Sequence, residues 1–384
     1  MRALSTVVVL LAACGGVDQG APDDLAGAPA DAAMPNVDHG APPDLGRPLV
    51  PYVYVSGYAP QIARFTLSPS GALTAAGTTS LTGTPSFLAV DPTHHYLYAV
   101  DEAAAGRVEA FAIDQTNGAL THLDDVSSGG NGPAHVSVDA TGAWVLVANY
   151  GDGTVAVLPA AADGSLGAAS DTRTAGANAH QIISIGGANP FVFVPCKGAD
   201  YIAEYSLDPA HGKLAPLSPA TVATPASSGP RHLAFHPLAA YAYAIQEIDS
   251  TMTAYAVSSG GQLTAMQTLS TRAAGATGTN TGAEVAVHPG RFLYGSNRGD
   301  DNIVRYTLDA GGRMTLAGHT PSGGQTPRHF SIDPTFKFLL VANQGSNDVV
   351  VFAIDPQSGA LTAVGAPTAA PSPSFVGVVN LPGG

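Results

Sequence analysis

The amino-acid sequence predicts an all-β fold, a seven-bladed β-propeller closed by its N- and C-terminal segments, over residues 51–384. Three observations predict it. A unit of four short strands recurs along most of the 384 residues, with a period of about 45–50 residues that is typical of propeller blades. Its strands alternate apolar and polar residues between turns rich in Gly, Asp and Asn. The two chain ends supply complementary parts of one further unit.

The composition suits many short strands and argues against one class of partner. Only 11 % of the residues are charged and 45 are glycine, as expected for buried strands joined by tight turns. The formal net charge is −14, and no cluster of Lys and Arg offsets it. Because nucleic acid repels such a chain, we expect no nucleic-acid partner. The sequence has no metal-ligand spacing and no dinucleotide-binding glycine motif, so we expect no metal and no cofactor.

The first fourteen residues have the layout of a lipoprotein signal peptide. Arg2 precedes an apolar stretch, residues 4–13, that is too short to cross a bilayer as a helix. Residues 11–14, Leu-Ala-Ala-Cys, resemble a bacterial lipobox, in which the Cys becomes the lipidated N-terminus. We therefore expect an exported lipoprotein that contacts the membrane only through a lipid on Cys14. The alternative is an ordinary cleaved signal in which this Cys has no role.

Residues 15–50 are predicted to form a disordered acidic tether. They are rich in Ala, Pro, Gly and Asp and contain few large apolar residues, so they cannot bury enough surface to offset chain entropy. A flexible tether of this kind connects a lipid anchor to a folded domain. The second cysteine, Cys196, is then a free thiol, although a disulfide between Cys14 and Cys196 is the alternative.

Six segments contain the repeat in nearly complete form. Each has an apolar strand, a turn, a second strand, a polar turn and an alternating third strand, and most then close with a Gly-containing turn and a weak edge strand. The segments are residues 85–115, 133–159, 180–209, 230–258, 282–310 and 327–356. The turn after the first strand carries residues that we interpret as purely structural, namely Asp91, Asp139, His236, His288 and Asp333.

The chain ends complete a seventh unit. Residues 374–379 match a first strand with nothing after it, whereas residues 52–58 match a second strand and are followed by a third and a fourth. The C-terminus thus supplies the inner strand of the blade that the N-terminus begins, which leaves only short protected edges. We expect loss of the C-terminal strand to open the ring.

Polar side chains converge on one mouth of the central channel. The first strand of each blade lines the channel and the second is antiparallel to it, so the start of one and the end of the other share that mouth. The candidates at strand-one starts are His135, His180, Arg231, His232, Arg328 and His329. Those at strand-two ends are Asn149, Tyr150, Lys197, Glu247, Arg298 and Asn343. Four of the 15 Lys and Arg residues fall here, which predicts an anion site in a concave mouth. We expect these residues to bind the substrate there, apart from those assigned to catalysis below.

Some of these candidates have a structural alternative. Asn149, Asn297 and Asn343 recur at one register, which favours turn capping over chemistry. His135, His232 and His329 also recur at the starts of first strands. For them, hydrogen bonding to neighbouring backbone is as well supported as a role in the site. The less repetitive set is the one that favours function: His180, Arg231, Glu247 and Arg298.

Several stretches resemble the propeller-type 6-phosphogluconolactonases, a family that includes the carboxy-cis,cis-muconate cyclases of fungi. The resemblance covers roughly residues 52–380. The segments that carry it are 149–155, 179–181, 229–232, 246–251, 296–299 and 327–334. The segment 195–200, Pro-Cys-Lys-Gly-Ala-Asp, departs from the family, in which many relatives carry an Asp-Leu-Gly type of turn.

The resemblance implies a metal-independent lactone hydrolase. It assigns catalysis to His180, Arg231, Glu247 and Arg298 by motif, on a small anionic lactone of sugar type. Glu247 would activate water as general base, the two arginines would hold an anion and stabilise negative charge, and His180 would protonate the leaving oxygen or orient water. We expect a monomer. The second hypothesis is a non-enzymatic extracytoplasmic binding or scaffold propeller, because phosphorylated sugar lactones arise in the cytoplasm.

Overall fold

The computed structural model describes residues 48–186, 190–289 and 291–383, which form 28 strands in seven four-stranded antiparallel sheets and contain no helix. The predicted all-β propeller of seven blades is therefore confirmed. The predicted signal peptide, Cys14 and all but the last three residues of the predicted tether lie outside the described residues. The first strand begins at Leu49, two residues before the boundary predicted from the sequence.

The blades follow one another along the chain. Blades 2 to 7 have their strands in sequence order from the channel outward, whereas blade 1 has the C-terminal strand innermost. Blade 1 contains β28 (Pro373–Pro382), β1 (Leu49–Gly57), β2 (Gln61–Leu67) and β3 (Leu73–Ser80). Blade 2 contains β4 (Pro85–Val90), β5 (Tyr96–Asp101), β6 (Arg107–Ile113) and β7 (Leu120–Ser127). Blade 3 contains β8 (Pro133–Val138), β9 (Trp144–Asn149), β10 (Thr154–Pro159) and β11 (Asp171–Thr174). Blade 4 contains β12 (Ile183–Ile185), β13 (Phe191–Cys196), β14 (Tyr201–Asp208) and β15 (Lys213–Ala223).

The remaining three blades have the same arrangement of four strands. Blade 5 contains β16 (Pro230–Phe235), β17 (Tyr241–Gln246), β18 (Thr251–Val257) and β19 (Leu263–Ser270). Blade 6 contains β20 (Thr281–His288), β21 (Phe292–Arg298), β22 (Asn302–Leu308) and β23 (Met314–Pro321). Blade 7 contains β24 (Pro327–Ile332), β25 (Phe338–Asn343), β26 (Asp348–Ile354) and β27 (Leu361–Ala369).

The C-terminal strand closes the ring as predicted. β28 is the inner strand of blade 1 and pairs with β1 along its whole length, from Leu49 opposite Pro382 to Gly57 opposite Pro373. It also packs against the inner strands of the two adjacent blades, β24 and β4. Because the last strand completes the first blade, no blade interface of the ring is left open.

The turns after the inner strands have the structural role predicted for them. The carboxylates of Asp91, Asp139 and Asp333 each accept the backbone N–H groups two and five residues later, at 2.6–3.1 Å. His236 Nδ1 accepts the N–H of Leu238 in its own turn. These side chains tie the hairpins at the end of the channel opposite the convergent polar residues.

Neighbouring blades interlock through an aromatic ring that packs on a glycine. In every blade an aromatic residue of the second strand, or at its start, lies against a glycine with positive φ in the last turn of the next blade. An added Cβ at that glycine would come within 2.1–2.9 Å of the ring. The pairs are Phe338–Gly71, Tyr52–Gly118, Tyr96–Gly164, Trp144–Gly212, Phe191–Gly261, Tyr241–Gly312 and Phe292–Gly359. Only glycine satisfies both the backbone conformation and the contact.

Cys196 is buried in the core cluster between blades 3 and 4 and forms no disulfide within the described residues. The alternative of a disulfide with Cys14 is not tested, because Cys14 lies outside those residues. Burial raises the pKa of this thiol to about 12, so at neutral pH it is protonated and is not activated as a nucleophile.

Two glycines of blade 7 test the interlock separately from backbone strain. Gly359 (φ 67°) lies under the ring of Phe292, whereas Gly365 (φ 68°) has no atom within 4 Å of an added Cβ. We expect Gly365→Ala to lower the free energy of unfolding by about 1 kcal/mol through strain alone. Gly359→Ala should cost about 2–4 kcal/mol, because it adds overpacking to the same strain. Urea unfolding measures both, and equal losses would show that the ring contact contributes nothing.

Candidate active site

A cavity of about 230 Å³ lies where inner strands begin and second strands end. It is lined by Glu102, Ala134, Tyr150, His180, Lys197, Glu247, Arg298 and Arg328. A smaller cavity adjoins it and shares Glu102, Ala134, His180 and Arg328, with Arg231, Tyr58 and Phe87 in its wall. The structure therefore brings together the four residues predicted as catalytic, along with Tyr150, Lys197 and Arg328.

Glu247 is the centre of an ion cluster. Its Oε1 lies 2.6 Å from Lys197 Nζ, and its Oε2 lies 3.1 Å from Arg231 Nε and 3.0 Å from Arg298 Nη2. The side chain of Glu247 is only 12 % exposed and that of Arg231 only 4 %. One carboxylate therefore holds three cations in a partly desolvated pocket, where charges interact more strongly than in water.

The two arginines are also held by backbone. Arg231 Nη1 donates to the carbonyl of Ala283 at 2.6 Å, and Arg298 Nη2 donates to that of Gly282 at 3.1 Å. Both carbonyls belong to β20, the inner strand of blade 6. The guanidinium groups are thus positioned by a strand and by Glu247 together.

Burial and charge oppose each other at Glu247. Burial alone would raise the pKa of its carboxyl, but Arg231, Arg298 and Lys197 together outweigh burial and lower the pKa to about 2. Burial, helped by repulsion from Arg298 and Arg328, lowers the pKa of Arg231 to about 9. At neutral pH the glutamate is therefore ionised and the arginine still charged.

His180 is a buried neutral imidazole beside this cluster. Burial, followed by the positive charge of Arg231, holds its pKa well below the usual range. Its ring lies edge-on to Tyr150 and to His232, with centroid distances of 5.5 and 5.1 Å. Among the described residues its Nδ1 has no hydrogen-bond partner. A neutral imidazole with an unpaired ring nitrogen can accept or relay a proton.

Beside the cavity, the buried carboxylate of Glu284 contacts two buried histidines. His232 Nδ1 lies 2.8 Å from Glu284 Oε2, and His329 Nε2 lies 3.3 Å from the same oxygen. Burial raises the pKa of Glu284, and it lowers the pKa of His329 to about 4. The ring of Phe87 packs against His135, His232 and His329. His232 joins this group to His180, whose ring it contacts.

The recurrent histidines bond backbone in two of three cases. His135 Nδ1 accepts the N–H of Ile182 at 3.5 Å, and His329 Nδ1 accepts that of Val376 at 3.3 Å. In each case the partner belongs to the inner-strand segment of the next blade. For these two the structural alternative has direct support, and their substrate-binding role stays a prediction.

The asparagines predicted at strand-two ends are fully buried and tie turns. Asn149 Nδ2 donates to Ser128 O at 3.0 Å, and Asn343 Nδ2 donates to Ser322 O at 3.3 Å. Neither lines the cavity. These contacts favour the capping alternative over substrate binding, because the amide nitrogens already have backbone partners.

The sequence assigned no site role to Tyr58 or Glu102, although the repeat placed Glu102 at this mouth. Tyr58 donates its hydroxyl to Glu102 Oε2 at 2.9 Å and accepts from Arg328 Nη2 at 2.8 Å. Glu102 stands at a strand-two end, so its position was visible in the repeat. Tyr58 follows β1 as Tyr150 follows β9, and this shared register was the available signal.

Within residues 48–186, 190–289 and 291–383, no group of three or more His, Cys, Asp or Glu side chains is arranged to hold a metal ion. In the same residues no helix is long and apolar enough to span a membrane.

A propeller of seven blades with a cation-rich cavity at one channel mouth defines a class of small-molecule enzymes and binding proteins. The chain matches the model of the family described as "Lactonase, 7-bladed beta-propeller" over residues 52–378. It therefore belongs to the seven-bladed β-propeller lactonases, a family of hydrolases that act on lactones, and both the family and the enzyme class predicted from the sequence are confirmed.

Similar proteins carry lactonase names. The chain is 34 % identical to a 6-phosphogluconolactonase of Pectobacterium carotovorum over 333 residues, 86 % of this chain and 98 % of that one. It is 31 % identical to the Bacillus subtilis 6-phosphogluconolactonase over 307 residues, 77 % and 87 % of the two chains. The structure of a periplasmic gluconolactonase of Pseudomonas aeruginosa has a TM-score of 0.81 at 30 % identity, covering 87 % of this chain and all of that one.

The ion cluster gives stability a specific pH dependence. Because the pKa of Glu247 is lowered from 4.5 to about 2, its contribution is complete above about pH 5 and is lost as pH falls toward 2. We expect Glu247→Gln to destabilise the fold at pH 6, and the gap to wild type to narrow by about 2 kcal/mol at pH 3. Urea unfolding at the two pH values measures the gap.

The control for this measurement is Glu109→Gln. Burial raises the pKa of Glu109, so its gap to wild type should move in the opposite direction as pH falls. A gap for Glu247→Gln that is the same at pH 6 and pH 3 would contradict the ion cluster.

Proposed function

We propose that this protein hydrolyses a sugar-type lactone in the cavity between His180, Arg298 and Arg328. The observation that carries the proposal is a neutral buried imidazole placed beside a cluster of guanidinium groups. Ring opening needs an acceptor for the proton of water and a positive charge for the oxyanion, and this cavity has both. The family and the lactonase names of its relatives support the same reaction class.

The proposed reaction is the hydrolysis of the lactone ring by one water molecule. His180 accepts a proton from water as the water oxygen bonds to the lactone carbonyl carbon, and guanidinium groups stabilise the resulting oxyanion. The tetrahedral intermediate then breaks its bond to the ring oxygen. His180 returns the proton to that leaving oxygen, so one lactone and one water give one hydroxy acid. The imidazole acts as base and then as acid, and the chain ends the cycle unchanged.

This assignment changes the role that the sequence suggested for Glu247. The oxygens of this carboxylate already contact three cations, which lower its pKa to about 2, so it acts as their counter-ion. We assign Glu247 to holding Arg231 and Arg298 in place and offsetting their charge. His180 takes the role of general base in its stead.

The names of the relatives point to two kinds of substrate, phosphorylated and unphosphorylated sugar lactones. Some relatives are named for a phosphorylated sugar lactone, and the P. aeruginosa structure is named for gluconolactone. The cavity is small and lined almost wholly by polar side chains, as a polyol substrate requires. We propose that the substrate is a single sugar-type lactone ring.

We propose further that the protein is an exported lipoprotein, anchored through Cys14, and acts as a monomer outside the cytoplasm. The support is the signal-like start and lipobox-like segment of the sequence. That one similar structure is of a periplasmic protein agrees with this location.

Replacing His180 tests the proposed base. We expect His180→Asn to lower kcat for δ-lactone hydrolysis by about 10²–10⁴-fold, because the proton acceptor is lost. The matched control is His211→Asn, which changes an exposed histidine in a turn of blade 4 and should keep full activity. Glu247→Gln and Arg231→Ala should also lose activity. Rates at the spontaneous background in the wild type and in all variants would favour the scaffold alternative.

The pH dependence of the reaction tests the protonation state. The base form of His180 is the neutral one, and its pKa is held well below 6.5, so activity should be lost only when pH falls through that lowered value. We expect kcat/KM, corrected for spontaneous hydrolysis, to stay flat from pH 8 to pH 6 and to fall at lower pH. A limb with its midpoint at pH 6.5 or above would assign the base to another group.

A further inference from the structure

Glu284 is a buried carboxylate whose direct partners are neutral groups. Its Oε1 accepts the N–H of Val285 at 3.0 Å, and its Oε2 lies 2.8 Å from His232 Nδ1 and 3.3 Å from His329 Nε2. Burial lowers the pKa of both imidazoles, so both are neutral at neutral pH. Among the described residues no Lys or Arg lies within ion-pair distance of Glu284. Its charge is therefore not taken up by a directly bound cation, as that of Glu247 is.

The hydrogen bonds around Glu284 place the protons of its neighbours. His329 Nδ1 accepts the N–H of Val376 at 3.3 Å, so this neutral ring carries its proton on Nε2 and donates it to Glu284. Burial raises the pKa of Glu284, and His329, Arg231 at longer range and the Val285 N–H oppose that rise. Donors on both oxygens favour the ionised carboxylate. His232 then donates to it from Nδ1 and keeps a lone pair on Nε2.

His232 connects Glu284 to the proposed base. Its ring is in edge contact with that of His180, with centroids 5.1 Å apart, and His135 is its other imidazole neighbour, at 5.6 Å. His180 Nδ1 and His232 Nε2 are both buried, and neither has a hydrogen-bond partner among the described residues. Because unpaired buried polar atoms are costly and uncommon, two of them on touching rings indicate a functional contact.

His180 needs a negative charge nearby when it takes the proton of water. The two adjoining cavities that it lines contain four cations, Lys197, Arg231, Arg298 and Arg328. Two carboxylates, Glu102 and Glu247, and the phenols of Tyr58 and Tyr150 are the other titratable groups there. Since the cations outnumber the carboxylates, the cavity as a whole repels an imidazolium. Glu284 is the further carboxylate that lies one imidazole away.

We propose that Glu284 is a positioning residue that acts through His232 to stabilise the protonated form of His180 during lactone hydrolysis. The proposal rests on the lactonase function proposed above and adds two residues to its mechanism. Glu284 holds the His232 proton on Nδ1, and the carboxylate charge behind that ring favours a proton on His180. Neither Glu284 nor His232 gives up a proton, so the balance of the hydrolysis is unchanged.

Two variants of Glu284 separate its charge from its shape. Glu284→Gln removes the charge and keeps the length of the side chain, whereas Glu284→Asp keeps the charge and shortens it. We expect Glu284→Gln to lower kcat for glucono-δ-lactone by about three- to tenfold with KM unchanged, because the base becomes weaker by about one pKa unit. Loss of a negative charge disfavours the imidazolium, so the acid limb of kcat/KM should move to lower pH. Glu284→Asp should keep more of kcat than Glu284→Gln.

His232→Asn tests the link between the two residues. It keeps a donor for the carboxylate and removes the ring that contacts His180, so it should lower kcat about as much as Glu284→Gln. KM should stay unchanged, whereas loss of a substrate-binding group would raise it. The double variant should be no slower than the slower single variant, because both changes interrupt the same interaction. His232→Asn also carries the test if Glu284→Gln does not fold.

The control is Glu204→Gln, which removes another buried carboxylate, on β14. Glu204 accepts the N–H of Leu263 at 2.8 Å and lines neither cavity, so kcat should not change. A Glu284→Gln protein as fast as this control, or a Glu284→Asp protein slower than Glu284→Gln, would overturn the inference. If the wild type hydrolyses the lactone, either result removes this inference alone. A wild type at the spontaneous background removes the proposed function, and the inference with it.

Discussion

The packing of an aromatic ring on a glycine recurs at all seven blade interfaces, and the geometry of the molecule depends on it. Each ring reaches into a turn of the next blade that only glycine can form, so each interface has one register and one distance. Four tyrosines add a second tie, since their hydroxyls donate to a turn carbonyl of the next blade: Tyr54, Tyr98, Tyr243 and Tyr294. The blades therefore hold their relative positions through specific contacts in addition to apolar burial.

The fixed positions of the blades keep the charged side chains of the cavity at ion-pair distance. The residues around Glu247 come from blades 4, 5 and 6, and the carbonyls that hold the two arginines belong to an inner strand. Placing four cations near two carboxylates in a small space is costly unless the partners are held at ion-pair distance. The propeller supplies that constraint, because each side chain starts from a strand end whose place is set by the ring.

Much of this architecture could be predicted from the sequence, because aligning the repeats shows which residues occupy equivalent positions in successive blades. The seven units, the shared blade and the meeting of His180, Arg231, Glu247 and Arg298 all follow from equivalent positions in successive copies. The contact of Tyr58 with Arg328 could not be read in this way, because it joins residues 270 positions apart across the closure of the ring. The role of Glu247 was also hidden. The sequence showed charges near one another, but whether burial or the cations control the carboxyl depends on distances and exposure.

The closure of the ring links the stability of the fold to the occupancy of the cavity. Tyr58 belongs to the blade that the two chain ends build together, and Arg328 belongs to the blade before it. The cavity therefore spans the junction at which the circle of blades is completed. A ligand held by Arg328 and Tyr58 would bind the closed ring and lose its site when the last strand detaches. A bound ligand would then stabilise the junction, and the C-terminal strand would detach less often when the cavity is filled.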